Sequence, residues 1–139
     1  MPAKLFVDTN IWLYALVPQK DDPKHRLAAQ FVLSLRQPTI NSQVIREASH
    51  NLLKKAGITE SQLRAIIEGW YQTCEIHPSN AAQHIRASRL RERYSFSYWD
   101  SLIVAAALDA GCTMLYTEDM QHGQIIEECL TIINPLSRS

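Results

Sequence analysis

Near the start of the chain stands Lys4-Leu5-Phe6-Val7-Asp8-Thr9-Asn10, in which a short apolar run ends in three polar residues. The run predicts a buried strand at residues 4–7, because its apolar side chains are consecutive and partly β-branched or aromatic. Asn10 or Thr9 is a suitable cap for a helix at residues 11–16. The chain therefore begins as a strand that leads directly into a helix.

The same alternation of strand and helix continues to the end of the chain. Further strands are predicted at residues 39–40, 75–77, 113–116 and 130–133, and further helices at residues 23–35, 42–57, 63–71, 81–94 and 98–111. Short apolar strands that alternate with amphipathic helices imply right-handed crossovers and a sheet covered on both faces. We therefore expect an α/β fold of three layers, α/β/α, around a five-stranded parallel sheet.

Length and composition favour one domain that spans residues 1–139. No run approaches the ~20 apolar residues that cross a bilayer, and no basic region followed by a long hydrophobic stretch marks a secretion signal. Cys74, Cys112 and Cys129 are odd in number and widely spaced, which is typical of thiols in a reducing compartment. We expect a cytoplasmic protein without a membrane partner. Because the formal net charge is zero, contact with nucleic acid would depend on local patches or on metal.

Four acidic residues that are far apart in the chain are predicted to meet at one edge of the sheet. Asp8 and Asp119 each follow a predicted strand, Asp100 lies at the start of a helix, and Glu47 lies about one turn into another helix. Ligands of open parallel sheets bind beyond the carboxyl ends of the strands, where these side chains are expected. Each residue alone also has a simpler explanation, since Asp8 and Asp100 could cap helices and Glu47 could be a solvated surface residue.

A cluster of carboxylates indicates a bound cation. Neighbouring carboxylates repel one another and raise each other's pKa unless a positive charge compensates them. Hard oxygen ligands suit Mg²⁺ or Mn²⁺ better than Zn²⁺. The cluster therefore predicts a site for one of these two metals.

Four runs of the sequence resemble the motifs of PIN-domain ribonucleases, in the same order and at suitable separations. They are Phe6-Val7-Asp8-Thr9-Asn10, Val44-Ile45-Arg46-Glu47, Tyr98-Trp99-Asp100-Ser101-Leu102-Ile103-Val104-Ala105-Ala106-Ala107-Leu108 and Leu115-Tyr116-Thr117-Glu118-Asp119. The resemblance covers residues 4–135. At this size, the chain is most similar to VapC-type toxins of bacterial toxin–antitoxin pairs.

The resemblance implies that the four carboxylates bind metal and form the catalytic site, with support from Asn10 and Thr117. It also implies RNA as the substrate, Mg²⁺ or Mn²⁺ as the cofactor and an antitoxin protein as the partner. Many relatives carry a further acidic or aromatic residue soon after the last aspartate, where this chain has Met120 and Gln121. This difference leaves the number of metal ions, one or two, open.

The implied function is metal-assisted hydrolysis of RNA phosphodiester bonds. Two alternatives stay open. The first is a PIN-like domain that binds RNA or protein without catalysis. The second is a phosphatase-like domain in which Asp8 attacks or receives phosphate, although haloacid-dehalogenase-like phosphatases would have an aspartate where Asn10 stands.

Two surface features suggest contacts with partners. Arg86, Arg89 and Arg93 recur at helical spacing, so they form a basic stripe that could follow an RNA backbone, although a solvated helix face explains the stripe equally well. Residues 63–71 present more apolar side chains than one small core is expected to cover. This excess suggests a homodimer through that helix.

Overall fold

A computed structural model describes residues 3–18 and 21–136. The strands are β1 (Leu5–Val7), β2 (Thr39–Asn41), β3 (Glu75–His77), β4 (Met114–Tyr116), β5 (Ile125–Ile126) and β6 (Leu130–Ile133). The helices are α1 (Thr9–Leu16), α2 (Pro23–Ser34), α3 (Ser42–Lys55), α4 (Glu60–Thr73), α5 (Ala81–Arg93) and α6 (Tyr98–Asp109). None of the helices in the described ranges is long and apolar enough to span a bilayer.

The strands form one mostly parallel sheet in the order β3-β2-β1-β4-β6-β5. β1 pairs parallel with β2 on one side and with β4 on the other. The chain first extends the sheet from β1 towards β3, and then starts again at β4 on the opposite side of β1. Helices flank the sheet, so the predicted α/β architecture is confirmed. The order of strands changes direction between β1 and β4, and open α/β sheets bind ligands at such a point.

The prediction of five parallel strands is wrong, because β5 adds a sixth strand that pairs antiparallel with β6. β5 has two residues, which are too few to give a periodic pattern. The turn between β5 and β6 contains Glu127 and Glu128, with φ angles of 52° and 60°. Tight hairpin turns with two positive φ angles usually contain Asn or Gly at these positions. The sequence therefore lacks the usual hairpin signal.

The first helix begins with a different cap from the one that the sequence predicted. Asp8, and not Thr9 or Asn10, caps α1, and its carboxylate accepts a hydrogen bond from the Thr9 backbone N–H at 2.7 Å. Asn41 caps α3 through a hydrogen bond from the Val44 backbone N–H at 3.1 Å. Each helix begins directly at the end of a strand, since Asp8 immediately follows β1 and Asn41 is the last residue of β2.

The core lies between the sheet and the helices. Central strand residues on each side of β1 are fully buried, as are the consecutive α6 residues Val104, Ala105, Ala106 and Ala107. A helix that is apolar on all its faces belongs inside a protein, and α6 is such a helix. The first turn of α6, which carries Asp100, leads directly into this buried segment.

The helix that suggested a homodimer packs mostly on its own chain. Leu63 and Trp70 are buried, and the ring of Trp70 meets Trp12 edge-on with centroids 6.0 Å apart. Tyr71 is 58% exposed. The chain's own core thus covers much of the apolar face of α4. The homodimer stays a prediction, which a measurement of molecular mass at several concentrations would test.

Candidate metal centre

Asp8 lies at the switch point of the sheet, directly after β1 and at the start of α1. Its side chain is only 5% exposed and accepts hydrogen bonds from the Thr9 N–H and, at 2.9 Å, from the Thr117 hydroxyl. Burial is the main reason that the pKa of Asp8 rises from 3.8 to about 6. The two hydrogen bonds oppose the rise, and the negative charges of Asp119 and Glu47 add to it. The fold therefore holds a carboxylate where its charge is poorly solvated.

Glu47 points from α3 towards the same place. Gln43, one turn earlier on α3, donates a hydrogen bond from Nε2 to Glu47 Oε1 at 2.9 Å. The Thr9 hydroxyl donates to Glu47 Oε2 at 3.4 Å, so α1 and α3 both contribute to its position. Neither Thr9 nor Gln43 was predicted from the sequence to be a site residue. Gln43 could have been found from its spacing, because residues four apart lie next to each other on a helix.

The remaining two carboxylates, Asp100 and Asp119, come from α6 and from the segment after β4. Asp100 is half-buried in the first turn of α6, where Ser97 caps the helix through a hydrogen bond from the Asp100 N–H at 3.1 Å. Its pKa is raised chiefly by burial, and the charges of Asp119 and Glu47 raise it further. Asp119 is exposed and follows β4, and its backbone N–H donates to Thr117 Oγ1 at 3.2 Å.

The structure thus brings together all four predicted carboxylates. The charges of Glu47 and Asp119 act on both Asp8 and Asp100, so the four side chains share one electrostatic environment. Across the described ranges, no Lys, Arg or His forms an ion pair with any of the four. The cluster therefore carries negative charge without a cationic side chain to balance it.

The chemistry of this cluster fits a hard divalent cation. Its candidate ligands are carboxylate oxygens, which Mg²⁺ and Mn²⁺ prefer, and its uncompensated charge would be stabilised by a cation. Within residues 3–18 and 21–136, no three side chains from His, Cys, Asp and Glu already stand in an arrangement that holds one ion. Binding would therefore require the carboxylates to move closer together around the cation.

The two predicted supporting residues both contact this region. Thr117 is fully buried and links Asp8 to the backbone of Asp119. Asn10 Oδ1 accepts a hydrogen bond from the Glu118 N–H at 3.3 Å, whereas Asn10 Nδ2 is buried and has no partner among the described residues. An unpaired amide N–H at this position could donate to a bound water or to a phosphate oxygen.

Glu118 is acidic but points away from the cluster, into a separate set of contacts. Its carboxylate forms an ion pair with Lys24 at 2.7 Å and accepts a hydrogen bond from the Tyr14 hydroxyl at 2.8 Å. Glu118 is thus neutralised by a cation that the chain itself supplies. This pairing distinguishes it from Asp119, the next residue, which has no such partner in the described part of the chain.

The predicted basic stripe lies on α5 beside a groove of about 540 Å³, whose lining does not include any of the four carboxylates. Arg86, Arg89 and Arg93 all line this groove. Arg93 pairs with Glu127 at 3.0 Å. A role for the stripe in RNA binding stays a prediction.

Comparison with known proteins identifies the family of the chain. The model of the PIN domain family matches residues 5–126. A search of curated protein sequences returned no relative. Among solved structures, a toxin–antitoxin complex from Klebsiella pneumoniae is similar with a TM-score of 0.71 and 19% identity, over 96% of this chain and 98% of the other.

Two further structures are similar at comparable levels. VapC20 of Mycobacterium tuberculosis, described as a Sarcin-Ricin loop cleaving toxin, gives a TM-score of 0.65 at 18% identity, over 84% of this chain and 92% of the other. DNA-bound VapBC of Salmonella typhimurium gives a TM-score of 0.67 at 17% identity, over 94% of this chain and 97% of the other. At such identities the structural likeness speaks for the fold alone. The family model covers most of the sequence, from the first strand to β5, and the chain belongs to the PIN domain family.

Proposed function

We propose that this chain is an endoribonuclease that uses Mg²⁺ or Mn²⁺, and that it is the toxin of a toxin–antitoxin pair. The observation that carries the proposal is the convergence of Asp8, Glu47, Asp100 and Asp119 without a basic partner in the described part of the chain. Such an arrangement costs folding energy unless a cation binds, and a cation among carboxylates at a sheet edge is suited to phosphodiester hydrolysis. Action on cellular RNA would place the protein in the cytoplasm.

The family and its structural relatives support the same function. PIN-domain proteins include nucleases, and the similar VapC20 is described as cleaving the Sarcin-Ricin loop, an RNA element. The similar Klebsiella and Salmonella structures are toxin–antitoxin complexes, so an antitoxin protein is the proposed partner. The alternative of a haloacid-dehalogenase-like phosphatase loses support, because the chain belongs to a different family.

The divalent metal would lower the pKa of an attacking water and stabilise negative charge on the scissile phosphate and the leaving oxygen. The carboxylates of Asp8, Glu47, Asp100 and Asp119 would hold it. The remaining contributions belong to side chains that fix these carboxylates. Thr117 and the Thr9 N–H orient Asp8, while Gln43 and the Thr9 hydroxyl orient Glu47. Such fixed orientations matter because supporting hydrogen bonds contribute to metal affinity and activity.

Cleavage of structured RNAs with Mg²⁺ or Mn²⁺, with an EDTA control, tests the proposal. The Asp100→Asn variant should lose roughly 100-fold or more of the rate, because even groups that only support metal ligands contribute roughly 10- to 100-fold. Glu68→Gln is the matched control, since Glu68 is an exposed acidic residue on α4. Cleavage that persists in EDTA and in Asp100→Asn would show that the nuclease proposal is wrong. Complete lack of cleavage by the parent chain with both metals would favour a PIN-like domain that binds without catalysis.

A further inference from the structure

A second groove, of about 290 Å³, opens beside the carboxylates where α3 and α6 begin. Gln43 lines this groove and connects it to the metal site, because its Nε2 donates to Glu47 Oε1 at 2.9 Å. The same nitrogen donates to the backbone carbonyl of Trp99 at 3.4 Å. Gln43 thus contacts both the groove and one of the carboxylates.

Two aromatic rings on the wall of this groove are exposed. Tyr98 and Trp99 are 52% and 63% exposed, and both lie in the first turn of a helix that is mostly buried beyond that turn. The Tyr98 ring is already engaged, because Arg91 lies 4.8 Å from its centroid and Trp99 meets it edge-on at 5.1 Å. These contacts fix the pair of rings and leave most of the Trp99 surface open. Trp99 immediately precedes Asp100 in the chain.

The charge of the groove suits a nucleotide. Its lining contains Arg46 and His84, and, among the residues that the structure describes, it contains no Asp or Glu. A different groove, on the side of Asp100 and Asp119, has these two carboxylates in its lining. An anionic chain would therefore enter the metal site more favourably from the side of Trp99. Amide and hydroxyl groups in the same lining offer hydrogen bonds to the polar edges of a base.

We propose that Trp99 stacks on an unpaired base of the RNA substrate, next to the phosphate that is cleaved, and that the groove holds this nucleotide. Single-stranded RNA is bound by such exposed aromatic rings, because every base has a flat face that stacks on them. The inference rests on the proposed function, since it assumes an RNA substrate. A peptide segment would be a different occupant, and the experiments below separate the two.

Binding is measured in EDTA, so that no RNA is cleaved, with a fluorescein-labelled single-stranded RNA of roughly 12 nucleotides. Trp12 and Trp70 are buried, so quenching of exposed tryptophan emission by unlabelled RNA reports on Trp99. We expect quenching in the parent chain and none in Trp99→Phe. Anisotropy should show a loss of affinity of roughly tenfold or more in Trp99→Ala, with most of it restored in Trp99→Phe. Tyr71→Ala, which removes an exposed aromatic ring on α4, should bind as the parent does.

Cleavage kinetics with Mg²⁺ distinguish this inference from the nuclease proposal on which it rests. A ring that binds substrate and transition state equally raises KM when it is removed and leaves kcat nearly unchanged, and we expect this pattern for Trp99→Ala. If the parent chain cleaves RNA and Trp99→Ala has the same KM and RNA affinity as the parent chain, the stacking proposal is wrong. A peptide segment would then be the better candidate for the occupant of the groove. If the parent chain does not cleave RNA at all, the nuclease proposal fails instead. If RNA quenches the tryptophan emission but Tyr71→Ala loses as much RNA affinity as Trp99→Ala does, a specific role for Trp99 is also contradicted.

Discussion

Asp8 is a carboxylate that the fold buries without a basic partner in the described part of the chain. Its folded pKa of about 6 exceeds the ordinary value of 3.8, so between these values the folded protein holds a proton that the unfolded chain has lost. In the metal-free protein, stability therefore falls as pH rises through this window. The difference between the two values corresponds to about 3 kcal/mol at most.

Replacing Asp8 by Asn should remove this loss of stability. The amide oxygen of Asn can still accept from the Thr9 N–H, so the cap of α1 is kept. In EDTA at pH 7.5, the melting temperature of Asp8→Asn should equal or exceed that of the parent chain. The difference between the two melting temperatures should shrink as the pH falls towards 4. Thermal unfolding at several pH values checks this. A melting temperature well below that of the parent at pH 7.5 would assign Asp8 a structural role that outweighs its charge.

Thr117 is a buried hydroxyl whose hydrogen bond at 2.9 Å orients Asp8. Thr117→Val keeps the shape of the side chain and removes the hydrogen bond. Because such supporting contacts contribute roughly 10- to 100-fold, we expect metal affinity or cleavage rate to fall by that factor. Thr117→Ser retains the hydroxyl and should recover most of the loss. Equal activity in Thr117→Val and the parent, with metal titration as a second readout, would remove Thr117 from the proposed site.

At the scale of elements, the β5–β6 hairpin has an unusual turn. Glu128 adopts a φ of 60° and is exposed, a conformation that is strained for residues with a Cβ and favourable for Gly. Glu128→Gly gives the turn the residue that its shape prefers. We expect the free energy of unfolding to rise by up to about 1 kcal/mol, since the gain from relieved strain is partly offset by the entropy of Gly in the unfolded chain. Urea denaturation measures the change, and Glu128→Val, which worsens the strain, should be less stable than the parent.

Strands and helices were predictable from the sequence where the periodic pattern of apolar residues is long, or where polar residues mark the end of an apolar run. Leu5, Phe6 and Val7 form a consecutive apolar run that ends in polar residues, and the structure has β1 there. β5 was missed because two residues carry no period and because Glu127 and Glu128 do not indicate a hairpin turn. The cap of α1 differs from the predicted one by one or two residues, because Asp8, the polar residue that directly follows β1, already starts the helix.

The positions of the carboxylates were predictable for a simpler reason, which is that parallel strands end at one edge of a sheet. The sequence, through its resemblance to a known family, indicated Thr117 as a supporting residue, but it did not reveal the contact between Thr9 and Glu47. Thr9 reaches Glu47 across 38 positions of sequence. Such contacts depend on how helices pack against the sheet, and no local pattern of residues records them. The exposed ring of Trp99 is equally a property of the packed surface, because Trp99 precedes a strongly apolar helical segment whose pattern alone does not show which ring stays exposed.

At the scale of the whole molecule, metal binding should appear as added stability. A ligand that binds only the folded chain stabilises it by about 2.7 kcal/mol at 100 times its Kd, which for a chain of this length corresponds to roughly 5 to 10 °C in Tm. We expect Mg²⁺ to raise the Tm of the parent chain by that amount and that of Asp8→Asn by less. NaCl at the same ionic strength is the control. Equal effects of Mg²⁺ on both chains would indicate that the cation binds elsewhere.

The presence of one divalent cation among the four carboxylates is tested most directly by a crystal structure of the chain with Mn²⁺, in which anomalous scattering locates the ion. We expect an anomalous peak within roughly 2.5 Å of carboxylate oxygens from Asp8 and from at least one of Asp100 and Asp119. A well-ordered crystal grown with saturating Mn²⁺ that shows no peak at this edge of the sheet, or a peak bound only by other residues, would contradict the metal site.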